Sequence, residues 1–443
     1  MLAVAITLAA GCSGGPEPTQ EPTLQDSIGC SAYQQYGDLR GKSVTVYTAI
    51  LTPEDQSYID SFKTFESCTG ATINYEGSRE FEAQLRVKVE AGSSPDIAFV
   101  PQPGLLKTLV ARFPGQIHEV TGLAAANLDA NYHENWRDFA SVGDKTYAVP
   151  VGASVKSLVW YSPKAFTAQG FEVPTTWEEM MTLTRQIATE RPDAKPWCVG
   201  LESGTATGWP ATDWLEDALL RSAGPEVYDR WVSHEIPFND PRVVDALDQV
   251  GRILKDGDYV NGGLGGVQSV ATTSYDEAGL PILDGECFLH HQASFYQSMW
   301  PTGTTVANDG DVFAFPLPGR GAEDPPLLVG GEFAVAFSDR PEVRAFQAYL
   351  ASPEWSNTKA RVTPAGWVSA NKQLLPENLR SPIDQFALSL LTDDTATFRF
   401  DGSDQMPDSV GTGTFWSGMV DWIVFNKPAS EVLTEIEESW PSN

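Results

Sequence analysis

The sequence predicts an α/β protein built on a parallel sheet, and three observations carry that reading. β-branched runs at residues 41–50, 71–77 and 96–104 alternate with stretches of helical spacing at 53–67 and 79–91. Strand, helix, strand, helix, strand implies parallel pairing through right-handed crossovers. The chain has 443 residues, 42% of them apolar and 11% aromatic, which is enough for two or three cores at roughly 150 residues each. It is therefore a folded protein despite its acidity.

Each element has its own signal. GKSVTVYTAI, residues 41–50, reads as a buried strand. Tyr58, Ile59, Phe62 and Phe65 then fall at helical spacing, and ATINYEG at 71–77 supplies a second strand. Phe81, Leu85 and Val89 mark a second helix that Gly92-Ser93-Ser94-Pro95 ends. DIAFVPQPG, residues 96–104, is a third strand with a proline-broken exit. Ligands of such sheets gather at the carboxyl ends of the strands, here residues 47–50, 76–80 and 100–104. A second block begins near Tyr147 with two strand-like runs separated by residues 150–154, followed by a helix that Thr175 or Thr176 can cap. Residues 243–255 form an amphipathic helix, and the Gly-rich 257–273 reads as loop. ILDGECFLHHQASF reads as a strand and a helix start, and 343–440 is mostly helical by pattern.

With 29 Lys and Arg against 59 Asp and Glu, the net charge is 29 − 59 = −30, which excludes a nucleic-acid binder. Beyond the first dozen residues no apolar run approaches the ~20 needed to span a bilayer. The start, MLAVAITLAAG followed by Cys12 and SGGPEPTQEPT, resembles a bacterial lipoprotein signal with the lipobox Ala9-Ala10-Gly11-Cys12. The resemblance implies a signal peptide at 1–11, diacylation of Cys12 and a Pro-stiffened tether over 12–40; two acyl chains hold to a membrane where one grips transiently. Cys30, Cys68, Cys198 and Cys287 remain, an even number in a compartment that permits disulfides, with three possible connectivities. Cys30 and Cys68 flank the first strand and helix, and the other two lie in one later region, so the favoured pairs are Cys30–Cys68 and Cys198–Cys287. Four unpaired buried thiols are the alternative.

The segments 93–104, 147–180, 285–295, 329–337 and 409–423 resemble the extracellular solute-binding proteins of ABC importers, sugar-binding branch. Residues 202–217 together with 409–423 look most like the members that bind α-glucosides. The resemblance implies a two-lobed fold with a mainly parallel sheet in each lobe and the ligand cleft between them. Its crossings fall near Pro150 and at 312–330, giving one lobe from 41–149 and 312–350, and another from 150–311 and 351–443. It further implies a monomer that captures an oligosaccharide, closes by a hinge and presents it to permease subunits in the membrane. No cofactor and no metal is implied.

A sugar has apolar C–H faces and a rim of hydroxyls, so its site needs aromatic platforms and fixed hydrogen-bonding groups. By the resemblance, Trp416 within Gly411-Thr-Gly-Thr-Phe-Trp is a stacking aromatic, and Phe295, or Trp300 in its place, is another. Trp209 between Gly208 and Pro210 is a platform on a loop. Arg79 and Glu80, at the end of the second strand, supply a planar donor fork and an acceptor. Gln102 stands at the third strand's exit, and Asp213, Gln292 and Glu332 complete the expected site. Ser154 and the uncharged Pro101-Gln102-Pro103-Gly104 stand where maltose binders carry charged groups, which implies a different sugar. For each of these residues, packing in the core or a solvated surface pair is the alternative. A secreted glycoside hydrolase acting on α-glucans is the rival function, since it needs aromatics and a carboxylate pair. No P-loop or His-Glu-x-x-His motif occurs. His290 and His291 are adjacent in a strand, so they point to opposite faces and do not hold one metal together.

Overall fold

The structure is a computed structural model and describes residues 29–263, 266–321, 326–393 and 396–441. The lipobox and Cys12 lie outside the described residues. The first sheet runs Thr72–Gly77, Ser43–Thr48, Ile97–Val100, Phe333–Ala336, Ala148–Pro150. Its first three strands are parallel, joined by the helices Asp55–Thr69 and Phe81–Glu90. Central Ile97–Val100 is buried at all four positions, whereas edge strand Thr72–Gly77 alternates between exposed and half-buried positions. Helix Asp55–Thr69 buries Tyr58, Phe62 and Phe65 and stops at Gly70, whose φ of 79° is the left-handed turn that glycine adopts at no steric cost.

The second sheet runs Val260–Asn261, Lys195–Cys198, Cys287–His291, Leu158–Tyr161, Phe313–Pro316. Its first three strands are parallel, and Leu158–Tyr161 is antiparallel to both neighbours. Helix Trp177–Glu190 packs beside it, opened by a capping box between Thr176 and Glu179. The residues 257–273 read as loop contain the short strand Val260–Asn261 and a 3-10 segment, Val267–Thr272.

A third sheet of Phe398–Phe400, Leu327–Gly330 and Ser154–Val155 joins the lobes, so the chain crosses three times. That count corrects the expected lobe boundaries. Phe313–Pro316 still belongs to the second lobe's sheet, so the return crossing follows Pro316 instead of starting at 312. Helix Pro382–Leu391 contacts the segment Ser294–Met299 and the crossing strand Ser154–Val155, while helix Pro353–Val362 packs on the first lobe against Asp55–Thr69, where Trp355 shares a core with Val44 and Phe62. There Lys359 Nζ donates to Ser57 Oγ at 2.7 Å and Trp355 Nε1 to Ser61 Oγ at 3.0 Å. The chain re-enters the second lobe only after Phe398–Phe400; Met419, Trp422 and Ile436 then join Trp197 and Trp214. Helix Pro353–Val362 thus departs from the expected placing of 351–443 in the second lobe, because an apolar helix stripe fits either core equally well.

Cys30 is bonded to Cys68 and Cys198 to Cys287, with Cα atoms 5.4 and 5.6 Å apart. The first bond ties the 3-10 segment Cys30–Tyr36 to helix Asp55–Thr69. The second links neighbouring parallel strands. Among the described residues no helix is long and apolar enough to cross a membrane.

Candidate functional site: the cleft between the lobes

A cleft lies between the lobes and holds about 1310 Å³ counted out to its open mouth. One wall comes from the carboxyl ends of the first sheet's parallel strands, as expected for such sheets: Ile50 follows Ser43–Thr48, Arg79 follows Thr72–Gly77, and Gln102 follows Ile97–Val100. The crossing segments form the floor with Ser154, Lys156, Glu332 and Asp401. The second lobe contributes Trp209, Tyr275, Phe295 and Trp416.

These aromatics make one wall. The Trp209 ring stands edge-on to Tyr275 at 5.2 Å and lies 6.1 Å from Phe295, and Lys156 Nζ sits 5.3 Å from its centroid. Trp209 opens helix Trp209–Ala223 from Gly208, whose φ is 114°. A Cβ on Gly208 would stand 2.3 Å from the Trp416 carbonyl oxygen, so glycine is what lets the two tryptophan segments meet. Trp416 is only 4% exposed and its Nε1 donates to Ser403 Oγ at 3.3 Å. It is almost wholly covered, where Trp209 on the same cleft is half-buried.

The floor is electrostatic. Lys156 Nζ donates to Asp213 Oδ1 at 3.0 Å and to Asp401 Oδ2. Burial works against its ammonium, yet Asp213 and Asp401 outweigh that and hold its pKa well above the ordinary lysine value. Burial likewise opposes the Asp401 carboxylate, and Lys156 overcomes it and pulls that pKa down. Asp401 also accepts the Ser403 hydroxyl at 2.7 Å and the Asp404 amide at 2.8 Å, capping helix Gly402–Gln405. Glu216 takes the Gly402 and Ser403 amides at 2.6 and 3.0 Å.

Glu332 also belongs with a further group of lining residues, Glu54, Tyr58 and Trp367. Burial, then repulsion from Glu332, pushes Glu54 up to about 8. Behind the wall Lys359 Nζ lies 3.9 Å from the Tyr58 ring centroid, and burial pulls it down to about 7. A carboxyl raised on folding stabilises fully below its ordinary pKa and loses that contribution as pH climbs through its folded value. Glu54→Gln should therefore melt above wild type at pH 9, with the gap closing by pH 4. An equal shift at both pH values in thermal melts would refute this.

Of the residues expected from sequence, Arg79, Gln102, Trp209, Phe295, Glu332 and Trp416 line this cleft together. Four do not. Glu80 is exposed ahead of helix Phe81–Glu90 and is not among the residues lining the cleft. Asp213, 2% exposed, lies behind Lys156 and acts on the cleft through it. Gln292 is buried with its side chain folded back onto the Ala293 amide at 2.8 Å. Trp300 packs in the core against Trp160 and Tyr296 at 5.8 and 5.3 Å. Arg79 itself is committed across the cleft, to Asp276 at 3.0 Å and Glu202 at 3.8 Å. Sequence reasoning missed Lys156, Asp401, Asp404, Glu82 and Glu54. For Lys156 a signal exists, since it is the one charge in the strand-like run from Val149 to Tyr161.

The bacterial extracellular solute-binding protein family matches residues 49–356. The osmoprotective compounds-binding protein GgtB of Synechocystis sp. is 39% identical over 412 residues, covering 91% of this chain and 94% of the relative. The alpha-glucosides-binding periplasmic protein AglE of Rhizobium meliloti is 37% identical over 419 residues, covering 91% and 88%. Among solved structures, the bacterial solute receptor AcbH, described as preferring β-D-galactopyranose, superposes with a TM-score of 0.73 at 15% identity over 90% of this chain and 97% of its own. That last likeness speaks to the two-lobed fold, while the sequence matches extend across nearly the whole chain. Cleft, crossings and sequence agree, and the chain belongs to the bacterial extracellular solute-binding proteins.

Proposed function

We propose that this protein is the substrate-binding component of an ABC importer, that it captures an α-glucoside in the cleft, and that it hands the sugar to permease subunits. The observation that carries this is the pairing of an aromatic wall, Trp209 with Tyr275 and Phe295, with hydrogen-bonding side chains from the opposite lobe. Such a pairing suits a ligand with apolar faces and a hydroxyl rim. The 37%-identical relative named for α-glucosides supports the sugar class. Isothermal titration of the purified protein with trehalose, sucrose and maltose should give one-to-one binding of at least one of them at a micromolar or tighter dissociation constant, near −8 kcal/mol or better, with the sugar recovered intact. Heat-silent titrations across the α-glucosides, or recovery of hydrolysed sugar, would overturn it.

The lipid anchor at Cys12 belongs to the same proposal and is supported by the lipobox. Cys12→Ala should move the protein from the membrane fraction to the medium. Unchanged membrane retention on fractionation would remove the anchor from the proposal.

A further inference from the structure

Resting on the sugar-binding reading, we propose that the cleft selects its glycoside by charge: it takes neutral glycosides and glycosides bearing a protonated amine, and rejects anionic ones, with Gln102, Glu82 and Asp404 as the acceptor subsite responsible. Gln102 is 3% exposed and lines the cleft, and its Oε1 has no hydrogen-bond partner. The orientation of its amide is fixed, because Nε2 donates to Glu82 Oε1 at 3.3 Å and the reverse would set an oxygen against a carboxylate. A buried acceptor left open in this way is a demand for a donor from the ligand.

The neighbouring groups repeat the demand. Glu82, itself buried, receives only Gln102 Nε2 and the Thr205 hydroxyl, the latter at 3.5 Å. The Asp404 carboxylate lines the cleft and accepts no hydrogen bond from any described residue, its backbone amide alone being bonded, to Asp401. Three adjacent side chains thus present oxygens that the described donors leave largely unfilled. A sugar hydroxyl or an ammonium group answers them; a carboxylate or phosphate does not.

Nothing else in the lining supplies the missing cation. Lys156 and Arg79 are the cations that line the cleft among the described residues, against six carboxyl side chains: Glu54, Glu82, Asp276, Glu332, Asp401 and Asp404. Lys156 is held by Asp213 and Asp401, and Arg79 by Asp276 and Glu202. The Gly402 and Ser403 amides at a helix start, where an anion would otherwise be welcome, are taken by Glu216. Burial, then repulsion from Asp401, holds Asp404 well above the ordinary aspartate value, and burial raises Glu82 and Glu332; a pocket that already resists ionising its own carboxyls resists an anionic ligand group in the same way.

The test is isothermal titration of the wild-type protein with three forms of one disaccharide: trehalose, 6-amino-6-deoxytrehalose and the trehalose 6-carboxylate, repeated on the maltose scaffold to place the substituent elsewhere. The amine should bind within threefold of the neutral sugar or tighter, and the carboxylate at least tenfold more weakly. Glu82→Gln and Asp404→Asn, each checked for a cooperative melt, should narrow the neutral-to-carboxylate gap at least threefold. A carboxylate bound within threefold of its neutral parent on both scaffolds overturns the proposal while leaving sugar binding intact, and the wild-type comparison decides this without any variant. A gap unchanged in both folded variants removes the assigned subsite. If neither neutral disaccharide binds, the sugar reading itself has failed and takes this proposal with it.

Discussion

Lys156→Met is expected to cost about 3–5 kcal/mol of folding stability at neutral pH, the loss typical when one partner of a buried ion pair is removed. Methionine fills the same volume, so packing is nearly conserved and the electrostatic loss is what remains. Lys156 is 8% exposed and its partners Asp213 and Asp401 are 2% and 1% exposed, so water cannot replace the ammonium. The residue also belongs to the crossing sheet, where its amide donates to the Leu328 carbonyl at 2.8 Å, and through Asp401 it holds the start of helix Gly402–Gln405. The backbone of this residue thus joins the first two crossings, and its side chain ties them to the third at the cleft floor. The pH dependence has a definite sign. Asp401 is depressed on folding, so its contribution is present above the ordinary aspartate pKa and lost as pH falls through the folded value. Lys156 is raised, so its contribution is present below the ordinary lysine pKa and lost only as pH rises through its higher folded value. The gap between wild type and variant should therefore hold across neutral pH and collapse in acid, read by urea denaturation. Adding Asp213→Asn and Asp401→Asn to Lys156→Met should recover much of the loss, because no buried charge is then left unpaired. A loss below about 1 kcal/mol for Lys156→Met alone would place the triad in the class of solvated pairs.

How much of this was legible in the sequence depends on the range of the interactions concerned. The first lobe's alternation of strand and helix was readable because β-branched runs and helical spacing are local signals. Arg79 and Gln102 followed from that alone, since strand ends locate clefts in parallel sheets. The pairing of Phe333–Ala336 beside Ile97–Val100 was not readable, because a short apolar strand fits against any buried neighbour. Lys156 was missed for the same kind of reason: its run reads as an apolar strand, and the carboxylates that make it functional lie 57 and 245 residues away in sequence. Phe295 and Trp300 show the limit of a correct segment read without its exact backbone. Phe295 sits in the 3-10 segment Ser294–Met299, whereas Trp300 follows it in extended backbone with φ −66° and ψ 137°, so the chain has turned between them. Phe295 reaches the cleft and Trp300 the core.

Trp209→Ala should weaken binding of a neutral α-glucoside by about 2–4 kcal/mol, the scale of an aromatic hot spot, while leaving the melting temperature close to wild type. Its ring is half-buried, borders Tyr275 and Phe295, and faces the cleft beside a buried ammonium. What is removed is mainly the surface a sugar face would cover. Trp416→Ala is the informative contrast. Trp416 lines the same cleft, yet its indole is almost wholly covered and bonded to Ser403, so truncation leaves a cavity and should cost about 3–5 kcal/mol of stability as well as affinity. Titration and thermal melts of the two variants side by side separate the roles: affinity without stability for Trp209, both together for Trp416. Should Trp209→Ala bind trehalose, sucrose and maltose within threefold of wild type, the aromatic wall is not the sugar platform. The ligand would then be held by the carboxylates and Gln102 alone, an arrangement whose affinity would rest on hydroxyl donors and not on ring faces.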